Sequence, residues 1–135
     1  MRALFFAHSG LRYLVLLAGI VALVYAARAV LAGKDGGRGG RATMAAFLGL
    51  LDLQIVLGLI MVGMGAFYTA LAGHFITMII AAAAGHASSL FARRSVGAKA
   101  DKIRLAGLII TLALIVMGIL AIGRSVFGMG SPTFG

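Results

Sequence analysis

The chain has no cysteine and no glutamate, and only 11% of its 135 residues are charged. Without cysteine there can be no disulfides, thiolate metal sites, cysteine-ligated iron–sulfur clusters or thiol–disulfide chemistry. The acids are Asp35, Asp52 and Asp101 alone. A soluble domain usually carries about 25% charged residues to cover its core, and this sequence is far too poor in them. What it has instead is 62% apolar residues and a mean hydropathy of +1.12. These residues fall in long blocks, not in the broken stripe of a surface helix. Roughly 20 apolar residues cross the hydrocarbon core of a bilayer, and four blocks meet that length. The sequence therefore predicts an all-α fold, a transmembrane up-down four-helix bundle.

The spans are expected at about 3–32, 42–68, 70–92 and 103–127. Gly33 to Arg41 reads as a flexible basic loop, and Arg93 to Lys102 as a second basic connection. The turn at Tyr68-Thr69 looks nearly absent, which predicts a tight hairpin of spans two and three. A short tail, 128–135, is expected to be poorly ordered. The first thirty residues imitate a secretory signal, with Ala27-Arg28-Ala29 resembling a cleavage site. Removing them would strip the bundle of its first polar residues, so they read as span one.

The net charge of +9 is distributed asymmetrically. Arg28, Lys34, Arg38, Arg41, Arg93, Arg94, Lys99, Lys102 and Arg104 gather at one face, against Arg2 and Arg124 at the other. This predicts cytoplasmic basic loops and termini outside, periplasmic in a Gram-negative host. The bases lack the aromatic interleaving and motifs of a nucleic-acid surface, so no nucleic-acid partner is expected. They read as contacts for anionic lipids. Small residues should mediate helix contacts in lipid: Ala81 to Gly85 in span three, Gly58, Gly63 and Gly65 in span two, and Gly107, Gly118 and Gly123 in span four. Further partners would be other membrane subunits or copies of this chain.

Ionisable groups in lipid are costly, so each asks for a partner or a task. With about 1.5 Å of rise per residue, His8 and His74 fall at matching depth. Arg12 lies one turn below His8, and Arg124 sits near the outer end of span four. These four form an expected outer cluster. Asp52 and His86 fall together in an inner layer, a polar pair. Gln54 is about 200° round the helix from Asp52 and cannot share its face. His74 and His86 cannot serve one ion together, because twelve residues separate them by about 18 Å along the helix.

Two histidines on facing helices are the usual axial ligands of a b-type haem. His8 and His74 fit that role, with Gly10 and Gly73 beside them to admit a flat ring and Arg12 or Arg124 to pair with a propionate. His86 is a possible second metal site. Purely structural pairing of the same groups, as in an accessory subunit of a larger membrane complex, accounts for them equally. A proton path through Asp52 and His86 is a third reading.

His8-Ser9-Gly10-Leu11-Arg12-Tyr13, Leu51-Asp52-Leu53-Gln54, Gly73-His74-Phe75 and Gly85-His86 together resemble a family of small bacterial four-helix membrane proteins. Some of its members carry a cytochrome b-like label. The similarity extends to Lys99-Ala100-Asp101-Lys102, while Gly73 stands where an acid would precede the histidine. The resemblance implies a bacterial cytoplasmic membrane protein in an electron-transfer chain, respiratory or photosynthetic, with His8, His74 and His86 as haem-ligand candidates.

Other classes fall away on their required residues. A small multidrug exporter needs a carboxylate in span one, and a retinal protein needs a lysine within a span. A Ser–His–Asp hydrolase would have to draw Ser88 or Ser89 from the same helix as His86.

Overall fold

A computed structural model describes residues 1–128; of the expected tail, 128–135, only Gly128 is among them, and 129–135 lie outside the described residues. Four helices make up the fold: α1 (Arg2–Ala32), α2 (Gly37–Gly63), α3 (Thr69–Arg93) and α4 (Ala98–Ala121). Each is long and apolar enough to cross a membrane. α1 packs on α2 and α4, and α3 packs on α4, while α2 and α3 touch least of the four neighbouring pairs. The cyclic order is that of an up-down bundle, with both chain ends at one end. Phe47, Met44, Leu48 and Leu51 of α2 meet Val15 and Ala26 of α1, Ala81 of α3, and Leu108 and Ile115 of α4 in one core.

The helix limits depart from the expected spans in an instructive way. α2 begins at Gly37, not near residue 42, and α4 begins at Ala98, not near 103. The first connection is thus only Gly33–Gly36, and the third only Arg94–Gly97. Hydropathy marks where lipid begins, whereas a helix starts where its first amides find acceptors. Asp101 supplies one, accepting the Gly36 N–H at 2.6 Å, and Asp35 accepts the Gly37 N–H at 2.8 Å. Asp101 also takes Arg104 Nη1 at 3.0 Å and is 0% exposed. A Cβ on Gly36 would stand 2.7 Å from Asp101 Oδ1, so the chain can approach the carboxylate only as glycine. These two carboxylates turn a glycine-rich, basic stretch into the first turn of a helix.

The outer ends differ in the opposite sense. α2 stops at Gly63 instead of reaching 68, and α4 stops at Ala121 instead of 127. The tight hairpin of α2 and α3 is replaced by a five-residue connection, Met64–Tyr68, between helices that stand apart. Gly65 and Gly123 adopt positive φ there, and so end helices instead of packing between them.

The α3–α4 contact does rest on small residues. A Cβ on Gly107 would collide with Ser88 Cβ and Oγ, and one on Gly118 would meet Met78. Gly63, by contrast, has open space around it. Ser88 Cβ is fixed to the α3 backbone and cannot rotate away. Gly107→Ala should therefore destabilise the bundle by about 1–3 kcal/mol, the usual cost of overpacking. Gly49→Ala, with nothing within 4 Å of the added Cβ, should stay within about 1 kcal/mol of the parent. Thermal melts of the two purified variants would compare them directly.

Candidate functional site

A cavity of about 1030 Å³ opens where α2 and α3 separate at the outer end. His8, Ser9 and Arg12 of α1, Gln54 and Gly58 of α2, His74 and Met78 of α3, Ile115 and Ile119 of α4 and Arg124 beyond it all line this space. The four residues expected in an outer cluster, His8, Arg12, His74 and Arg124, thus share one chamber. Its size is at the upper end of the 300–1,000 Å³ or so that small-molecule and cofactor sites occupy.

His74 is held by its second nitrogen. Its Nδ1 lies 2.8 Å from the carbonyl oxygen of Gly118. A carbonyl only accepts, so Nδ1 carries the proton, and in the neutral ring Nε2 keeps its lone pair. Gly118 is in the last turn of α4, where carbonyls have no amide ahead of them in the helix. The early end of α4 thus creates the acceptor that orients this ring. His8 is placed differently. Its Nδ1 is buried without a hydrogen-bond partner, and its Cε1 faces Gly58, where a Cβ would stand 3.2 Å away. Gln54 Nε2 donates to the His8 backbone carbonyl at 2.7 Å and ties α2 to α1 at this level. Its Oε1 is buried and unpartnered.

The arginines are partly committed. Arg12 Nη2 donates to Tyr13 Oη at 3.0 Å and to the Gly128 carbonyl at 2.8 Å, and Tyr13 Oη donates to the Phe127 carbonyl at 2.8 Å. These bonds fasten the segment after α4 against α1. Arg12 Nε is buried with no partner. Arg124 lies beyond α4, its guanidinium 4.9 Å from the Phe5 ring centroid. The glycines expected beside the histidines have no part in the chamber: a Cβ added to Gly10 or Gly73 would meet nothing within 4 Å, and neither residue lines it. Gly58 and Gly65 line it instead.

Asp52 and His86 meet in a separate place. His86 Nε2 donates to both carboxylate oxygens of Asp52, at 2.8 and 3.0 Å. The side chains are 50% and 52% exposed, so the pair sits on the outer surface of the α2–α3 face. Neither residue lines the chamber. As a second metal site His86 has its Nε2 engaged by the carboxylate, and among the described residues no three His, Cys, Asp or Glu converge.

Two imidazoles, one already fixed as its Nδ1–H tautomer, face a roomy space with apolar walls, and a glycine replaces a side chain against His8. Sequence position alone does not assign Gln54 to this site, although its 200° offset from Asp52 means that one of the two has to face the bundle interior. No family model, no curated protein and no solved structure matches the chain.

The surface pair generates a clean test. Removing one partner of an ion pair in a poorly hydrated setting leaves an uncompensated charge, whereas replacing both removes the problem. His86→Leu alone should therefore destabilise the protein more than the double change Asp52→Leu/His86→Leu. The double-mutant cycle, read by chemical or thermal unfolding in detergent, should give a coupling energy of about 1 kcal/mol or more.

Proposed function

We propose that this protein is a membrane-embedded b-type haem protein that passes single electrons, with His8 and His74 as the axial ligands of one haem. The observation that carries the reading is the pair of histidines lining one chamber, with His74 held as its Nδ1–H tautomer by the Gly118 carbonyl. Metal-bound histidines nearly always donate their other ring N–H to an acceptor of this kind, which fixes the ring and raises its basicity. Haem would supply a one-electron couple whose potential depends on axial ligands and burial. The chain's own contributions are plain. Gly118 orients His74, Gly58 leaves room beside His8, and Gln54 holds α2 to α1 at the level of the ring. The buried Arg12 Nε and the Arg124 guanidinium stand ready to pair with propionates. With the basic end cytoplasmic, the chamber opens towards the outer face of a bacterial cytoplasmic membrane, where an electron acceptor would dock.

The test is optical. Protein expressed with haem supply should purify with a Soret band and about one haem b per chain by pyridine hemochrome assay. His74→Ala and His8→Ala should each remove that absorbance, and Gln54→Ala should retain it. A colourless, fully folded parent protein would overturn the reading.

A second reading, a non-catalytic accessory subunit, draws on the Asp52–His86 pair. A half-exposed ion pair on a face that otherwise meets lipid is expensive and is better placed against another polypeptide. On this reading Asp52→Leu/His86→Leu leaves the monomer folded and releases chains that co-purify with the parent in mild detergent. Unchanged co-purification, or none with the parent, counts against it.

A further inference from the structure

The inner end of the bundle holds a second concavity, chemically unlike the first. Its volume is about 390 Å³, and four arginines line it: Arg38 and Arg41 from the first turns of α2, Arg93 from the end of α3, and Arg104 from α4. Ser89 adds a hydroxyl, and Ala42, Met44 and Ala45 complete the wall. Asp101, which pairs with Arg104, is already engaged, and Asp35 accepts the Gly37 N–H at the start of α2. Arg38, Arg41 and Arg93 have no ion pair or side-chain hydrogen bond among the described residues, and all three are exposed.

Three uncompensated guanidiniums around one hollow repel each other unless an anion occupies it. Their planar forks match phosphate oxygens in a bidentate manner, which lysine cannot reproduce. The volume lies near the lower end of the 300–1,000 Å³ or so that ligand sites span, suited to a headgroup and too small for a polymer. The wall decides which phosphate. Ala42, Met44 and Ala45 begin the apolar part of α2, so the hollow runs from a basic layer into the first apolar turn. Free phosphate has nothing to place against that wall. A phospholipid has both parts in the required order, and basic pockets between helices on the cytoplasmic side favour lipids with multiply charged headgroups.

We propose that the hollow lined by Arg38, Arg41, Arg93 and Arg104 is a specific binding site for an anionic phospholipid whose headgroup carries two phosphates. The site is independent of the outer chamber and of any haem there. Arg104 belongs to the Asp101 clamp, so lipid in the hollow would brace the junction of α2 and α4.

Native mass spectrometry of the detergent-solubilised protein tests this, with cardiolipin, phosphatidylglycerol, phosphatidylcholine and inorganic phosphate titrated separately. The expected order is cardiolipin over phosphatidylglycerol, with phosphatidylcholine and inorganic phosphate far weaker. A direct charge-assisted hydrogen bond to phosphate is worth about tenfold or more in binding, so Arg41→Gln/Arg93→Gln should weaken cardiolipin about a hundredfold. Arg28→Gln/Lys34→Gln, which removes two charges from the same end but outside the hollow, should leave it within about threefold. Arg38→Gln alone provides a milder pocket variant, with circular dichroism confirming the fold of each. Equal losses in the pocket and control pairs would mean diffuse attraction and overturn the site. Inorganic phosphate binding as tightly as cardiolipin, or no discrimination between cardiolipin and phosphatidylcholine, would overturn the lipid.

Discussion

The Asp101 carboxylate is the contact on which the arrangement of this bundle turns. It has no exposed surface and is reached by the Gly36 amide, distant in sequence, and by the Arg104 guanidinium one turn along α4. Through them it joins the start of α2 to the start of α4. A carboxylate removed from water needs both a counter-charge and hydrogen-bond donors, and those are what these groups supply. The inner ends of the two helices are thereby set at a fixed spacing. α3 is then held against α4 by the close approach of Ser88 to Gly107 and of Met78 to Gly118.

That clamp makes the two ends of the molecule unlike. At the inner end, Asp101 is paired at short range with Gly36 and Arg104, and the connections are only four residues long. At the outer end, α2 and α4 stop early and α2 stands away from α3. The helix that ends early exposes a carbonyl, Gly118, and His74 satisfies it. The residues after α4 fold back to give Arg12 and Tyr13 their acceptors at Gly128 and Phe127. Of the four buried side-chain polar atoms without a partner among the described residues, three, His8 Nδ1, Arg12 Nε and Gln54 Oε1, belong to residues that line this chamber, and the fourth, Thr111 Oγ1, lies outside it. Buried polar atoms are costly to leave unpaired.

The sequence makes legible what lipid makes costly. The number of helices and their alternating direction come from apolar length and charge. The meeting of His8 with His74, and of Asp52 with His86, follows from counting residues along helices of known rise. What cannot be read are the helix ends, because these depend on acceptors from other segments. Nothing local in Gly33 to Arg41 says that Asp101, 65 residues beyond Gly36, will cap it. The same gap hides Asp101 itself, which looks like one more residue of a basic connection. Exposure is also beyond reach: depth places Asp52 beside His86, but not which way the pair faces. Its rotation can be inferred only through Gln54, since two residues about 200° apart cannot both face lipid.

The exposed pair and the unsatisfied chamber make different demands. Unpaired buried atoms ask for a ligand small enough to enter a cavity. A paired but half-exposed Asp52 and His86 has its hydrogen bonds and lacks only shelter from lipid, which a flat protein surface can give. The two features lie at different depths, so a cofactor in the chamber and a neighbour against Asp52 and His86 would not compete. An electron carrier with one haem needs a partner close to its own edge in any case. On the reading proposed above, a docking face beside the chamber and a lipid at the inner end would let a chain of this size serve one step of a longer relay.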